Sequence, residues 1–108
     1  MITSEEKRIL WRFKRALKDT LKDDSVEVRL FGSKARGDDR RDSDLDLLVV
    51  VSGAAWQLAD EVYAVATDLL LETGICLSPK VLGRAEYERL MREETPIIMN
   101  VAAEGVAV

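Results

Sequence analysis

The sequence has no histidine and a single cysteine, Cys76. The first absence removes histidine triads, histidine general bases and ordinary zinc sites, and leaves carboxylates, hydroxyls and lysines to do any chemistry. The second excludes an intrachain disulfide and suits a reducing compartment. The opening residues Met1-Ile2-Thr3-Ser4-Glu5-Glu6 carry no basic-then-apolar signal, and no apolar run approaches bilayer length, so a soluble cytoplasmic protein with no membrane partner is expected. The 108 residues carry a net charge of −4 and a hydrophobic content of 47%, which predicts a folded chain with one core. That charge argues against strong nucleic-acid binding. Most Lys and Arg nevertheless precede Asp42, so a local phosphate-binding face stays open. No repeat or linker interrupts residues 1–108, and a single domain is expected.

Hydrophobic spacing supplies the elements. Thr3 with Glu6 three residues on is a capping-box pattern, and Leu10, Phe13, Leu17 and Leu21 recur at helical spacing. Lys7, Trp11, Lys14 and Lys18 share another face, either a solvated flank or a basic partner face with an aromatic anchor. Val26 to Phe31 alternates as a half-buried strand does. Ala55, Leu58, Val62, Val65, Ala66 and Leu69 mark a long amphipathic helix ending near Gly74, with Trp56 and Tyr63 at core or rim. Ile75 to Leu82 reads as the next strand, which Pro79 either puts at an edge or ends early. Arg84 to Met91 is helical, and Thr95-Pro96 starts a last helix whose apolar face is Ile97, Ile98, Val101 and Ala102. The apolar end Val106-Ala107-Val108 either packs on its own sheet or is covered by a partner or a second copy, a homo-oligomer.

The chemistry concentrates between Gly32 and Val51. A turn, Gly32-Ser33-Lys34-Ala35-Arg36-Gly37, leads through a polar span to Ser43-Asp44-Leu45-Asp46-Leu47 and a run of Leu and Val. Residues two apart on a strand share a face, so Asp44 and Asp46 would carry carboxylates roughly 6 to 7 Å apart. Like charges at that distance repel by about 2 to 3 kcal/mol at an effective dielectric near 20. A bound cation relieves that conflict, and Mg²⁺ favours a couple of carboxylates with phosphate oxygens and water. A Gly-Ser turn after a strand is also a ready phosphate cradle, in which Gly32 permits close backbone approach and Ser33 donates. Arg36, Arg40 and Arg41 are candidates to hold a triphosphate tail, beside the reading as solvated surface. Two rival motifs fail. After Gly32 and Gly37 a Walker A loop needs Lys-Ser/Thr where Asp38-Asp39 stand, and an EF loop from Asp42 would need Gly at Leu47 and Glu at Gly53.

The pattern Gly-Ser-x-Ala-Arg-Gly, a polar spacer, then Ser-Asp-x-Asp-Leu and an apolar strand resembles the nucleotidyltransferase superfamily with the DNA polymerase β-like core. Residues 32–51, about a fifth of the chain, carry the resemblance. Within that superfamily the short chain is most similar to the minimal nucleotidyltransferases, partners of HEPN-domain proteins. The resemblance implies an α/β fold with a mixed, mostly three-stranded sheet flanked by helices. It implies Asp44 and Asp46 as catalytic metal ligands for Mg²⁺, and Gly32, Ser33 and Arg36 as contacts to an NTP. It further implies ATP as donor, a HEPN-domain protein as acceptor and partner, and an antitoxin role in a toxin–antitoxin pair. Family members usually draw a third carboxylate from the neighbouring strand, where this sequence has Cys76 and Ser78. The alternative is therefore a catalytically weakened nucleotide-binding or structural subunit that neutralises or completes a partner.

Overall fold

The computed structural model describes residues 2–22, 26–32 and 44–108. Thr3 caps α1 (Ser4–Thr20): its hydroxyl accepts from the Glu6 amide at 3.0 Å, and the Glu6 carboxylate accepts from the Thr3 amide at 2.9 Å. β1 (Val26–Phe31) and β2 (Leu45–Val51) run antiparallel. A long helix, α2 (Ala55–Thr73), then crosses over to β3 (Leu77–Gly83), which lies parallel to β2. Gly74, left-handed at φ 78°, stops α2, with its amide donating to Leu70 O. Two short helices, α3 (Arg84–Arg92) and α4 (Pro96–Glu104), lead to β4 (Val106–Ala107), antiparallel to β1.

The sheet order is β3-β2-β1-β4, which places β3 with Pro79 at an edge, the first of the two outcomes that a proline there allows. It has four strands, where the sequence suggested mostly three. The extra one is the apolar end of the chain, which pairs Val106 with Leu30 and Ala107 with Arg29, while the Val108 amide donates to Val28 O. β1 has a free side there whose backbone groups need partners, and two residues of a short tail supply them. β3 itself begins at Leu77, two residues later than the apolar pattern suggests.

Alternation along β2 divides the core in two. Leu45, Leu47, Val49 and Val51 join Val28 and Leu30 under α1 and α2, against Phe13, Leu17, Val62 and Leu69. Leu48 and Val50 face the other way, under α3 and α4, with Val101, Phe31, Leu82 and Tyr87. A strand covered on both faces has to be apolar almost throughout, and β2 is. The helix expectations hold, with two exceptions in side-chain placement. Neither Trp56, 79% exposed, nor Tyr63 enters the core, because the Val62, Ala66, Leu69 stripe turns them to the solvent side of α2. Ile97 also stays exposed while its neighbour Ile98 is buried. Trp11 is exposed as well, with the Arg15 guanidinium 5.2 Å from its ring centre, while Lys14 on the same α1 face is half-buried and donates to Val108 O.

Glu27 ties the sheet to the α3 side by accepting from both Arg29 and Arg84 at 3.1 Å. Burial works to raise its carboxyl pKa, but the two guanidiniums outweigh it and hold it below the ordinary 4.5. A folded-state value below the unfolded one means stabilisation that is complete above the unfolded value and lost as pH falls through the folded one. The urea midpoints of wild type and Glu27→Gln should therefore differ at neutral pH and converge in acid. Leu47→Ala, emptying a fully buried site, should cost about 2 to 5 kcal/mol. Trp56→Ser should stay within about 0.5 kcal/mol in the same titration.

Candidate active site

Asp46 is the one polar side chain in β2, and it stands at the strand's entrance. Its parity places it on the α3 and α4 side of the sheet, where a half-buried carboxylate keeps access to water. Across the sheet it is paired with Phe31 on β1 and Ser78 on β3. Asp44 sits one residue before β2 and is exposed. The Leu45 amide between the two aspartates donates to Cys76 O at 3.0 Å, which fixes the strand mouth against the start of β3.

Gly32 closes the arrangement from the β1 side. It has φ +79°, and a methyl built on it would fall onto the Asp46 carboxylate, 3.2 Å from the carboxyl carbon and nearer still to Oδ2. Any other residue there is strained by its backbone conformation and must displace the Asp46 carboxylate. The backbone leaving β1 thus lies directly against the first acid of β2, so the glycine and Asp46 of the sequence pattern meet in space. Ser33, Lys34, Arg36, Arg40 and Arg41 lie outside the described residues.

The positions facing the two acids from β3 are neutral. Ser78 is in register with Asp46, and the Cys76 thiol donates to the Asp44 carboxylate. Burial raises the Cys76 pKa, and the Asp44 charge and hydrogen bond raise it further. The thiol therefore stays protonated and offers no soft thiolate ligand. Oxygen remains as the donor type, from Asp44, Asp46 and Ser78, and such a set suits a hard cation of the Mg²⁺ kind. No third carboxylate joins them: among the described residues no group of three or more Cys, Asp or Glu side chains could hold a metal ion.

A mixed sheet with an acid pair at the mouth of an inner strand, of which Asp46 is pressed against a left-handed glycine after the preceding strand, defines a small α/β protein of the nucleotidyl-transfer class. The chain belongs to the nucleotidyltransferase domain family, whose model matches residues 10–96. That span runs from α1 through both acids and β3 to the start of α4. No curated protein and no solved structure gives a significant match. Among the described residues no helix is long and apolar enough to cross a membrane.

The Gly32 contact is open to test against Gly74, which has a nearly equal φ of 78° but nothing within 4 Å of an added methyl. Gly74→Ala should cost about 1 to 2 kcal/mol, the left-handed penalty alone. Gly32→Ala should cost more in the same urea titration, because Asp46 must also move. Equal losses would show that the Asp46 carboxylate does not rest on Gly32.

Proposed function

We propose that this chain moves a nucleoside monophosphate, AMP from ATP, to an acceptor hydroxyl with release of pyrophosphate. The observation that carries the proposal is the seating of Asp46 on Gly32, with Asp44 on the approach to the same strand. Asp44 and Asp46 are the residues to hold Mg²⁺, which when bound supplies positive charge to the phosphate oxygens and to the departing pyrophosphate. The bare Gly32 backbone lets the triphosphate approach closely, with Ser33 donating to it and Arg36 pairing with its tail. The acceptor oxygen forms its bond to the α-phosphorus as the bond to the pyrophosphate oxygen breaks, and the acceptor proton passes to solvent water. Ser78, a hydroxyl where relatives usually present a carboxylate, is a poor acceptor for that proton at neutral pH.

The resemblance of residues 32–51 to the minimal nucleotidyltransferases supports the finer parts of this reading. In that reading the acceptor hydroxyl belongs to a HEPN-type partner protein, the chain acts as the antitoxin of the pair, and both work in the cytoplasm. A lone cysteine is in keeping with that compartment. A second reading is favoured by Ser78 and Cys76 themselves. With no third acid beside Asp44 and Asp46 among the described residues, the chain would bind the nucleotide and complete or neutralise its partner without turnover.

Incubation of the chain and its co-expressed partner with α-labelled ATP and Mg²⁺ should transfer label to the partner. Asp44→Ala and Asp46→Asn should each reduce the transfer at least about a hundredfold, the scale on which single electrostatic groups act. Transfer unchanged by either substitution would remove the proposed site. Calorimetric binding of Mg·ATP with tight partner association and no label transfer would select the second reading.

A further inference from the structure

We propose that the apolar cavity between the Asp46 face of the sheet and α4 holds the base of the nucleotide substrate. The inference rests on the nucleotidyltransferase reading and names the part of the substrate bound beyond the phosphates. The cavity has a volume of about 120 Å³, and its walls include Phe31, Leu48, Lys80 and Leu82 from the sheet and Ile97 and Ile98 from α4.

Strand register joins this cavity to the acids. Phe31 is the cross-strand partner of Asp46, so one cavity wall stands in the same row of the sheet as the carboxylate. Leu48 is the next residue of β2 on that face, one strand repeat of roughly 6 to 7 Å from Asp46, and Lys80 is its partner on β3. A ribose spans a step of that order. A nucleotide with its phosphates at the acids can therefore lay its base over Leu48, between Phe31 and Ile97. A larger groove, at Trp56, Val81 and Arg84, lies past the far ends of β2 and β3 and offers no such path.

Size and chemistry agree with a planar ring. An apolar cavity of about 150 Å³ accepts benzene in a well-packed protein, so this slightly smaller one takes part of a flat ring system, with the rest of the base at its mouth. Leu48 and Ile98 are buried, which makes them the floor, while Lys80 and Ile97 are exposed and form the mouth. The ammonium of Lys80 brings three donors and no acceptor, which suits a ring nitrogen or a carbonyl on the edge of the base. Recognition of this kind reads the flat faces of a ring through Phe31, Leu48 and Ile97 and its acceptor edge through Lys80.

Two ligands separate the cavity from the acids: Mg·ATP, which has a base, and Mg·tripolyphosphate, which has none. Calorimetry on wild type should detect both. Ile97→Trp, filling the mouth from an exposed position, should weaken Mg·ATP at least about tenfold, as small steric changes in apolar pockets do, and leave Mg·tripolyphosphate unchanged. Methyl NMR of the wild-type chain supplies a readout that needs no variant. Mg·ATP should shift the Leu48, Leu82, Ile97 and Ile98 methyls, and Mg·tripolyphosphate should not. Unchanged Mg·ATP binding by Ile97→Trp, or methyl shifts that are the same with both ligands, would overturn the base site and leave the nucleotidyltransferase reading standing. Wild type that binds neither ligand would end both.

Discussion

One constraint governs both the fold and the candidate site: the parity of β2. Side chains on a strand alternate with a period of two, so the register that sends Leu45, Leu47, Val49 and Val51 under α1 and α2 also sends Asp46 to the other face. A slip of one residue would push the carboxylate into the larger core and move four apolar residues out of it in exchange. Burial of an unpaired charge costs several kcal/mol and loss of those contacts costs more, so alternatives are strongly disfavoured. Folding and placement of the acid are thus a single event. The same register lines up Phe31, Asp46 and Ser78 in one row and Arg29, Leu48 and Lys80 in the next, which orders the face on which chemistry would occur.

Where the sequence was legible, a local pattern decided the outcome. The capping box at Thr3, the Phe13 and Leu17 stripe, the stop at Gly74 and the unbroken apolar run of β2 each reflect short-range physics, and each is found as read. The Gly32 and Asp46 pair could be foreseen as a site because a glycine after a strand and an acid before an apolar run are both unusual choices for a core. Their actual contact could not, since it depends on the register in which β1 and β2 pair. Long-range pairing also explains the missed fourth strand. Val106 and Ala107 carry no strand pattern of their own, and only the open side of β1 gives them one. Trp56 and Tyr63 escaped for the opposite reason: large apolar side chains suggest burial, yet helix phase alone sets which of them face the sheet. The cavity beside Leu48 left no trace in the sequence, being the gap between a sheet and two helices.

Electrostatics explains why neutral residues at Cys76 and Ser78 need not spoil the site. Two carboxylates on one strand mouth already repel, and a third would add to that repulsion in the absence of metal. Replacing it with a thiol that donates to Asp44 and a hydroxyl beside Asp46 relieves the charge while keeping polar partners for both acids. On the proposed reading, two negative charges balance a single divalent cation. The exchange favours binding at the expense of proton transfer, and the two functional readings differ on that point alone.

Pro79 has an effect at the rim of the sheet. The Leu45 amide bonds to Cys76 O, and parallel pairing then points the backbone groups of Ser78 and Lys80 toward β2 and those of Leu77, Pro79 and Val81 away from it. The missing N–H of proline therefore falls on the outer edge, in the middle of the one long strand that a stray chain could extend. At the opposite rim β4 is only two residues long, too short a template for further strand addition. Both borders resist edge-to-edge growth, so a sheet with an unusually greasy central strand is protected from aggregating through its backbone.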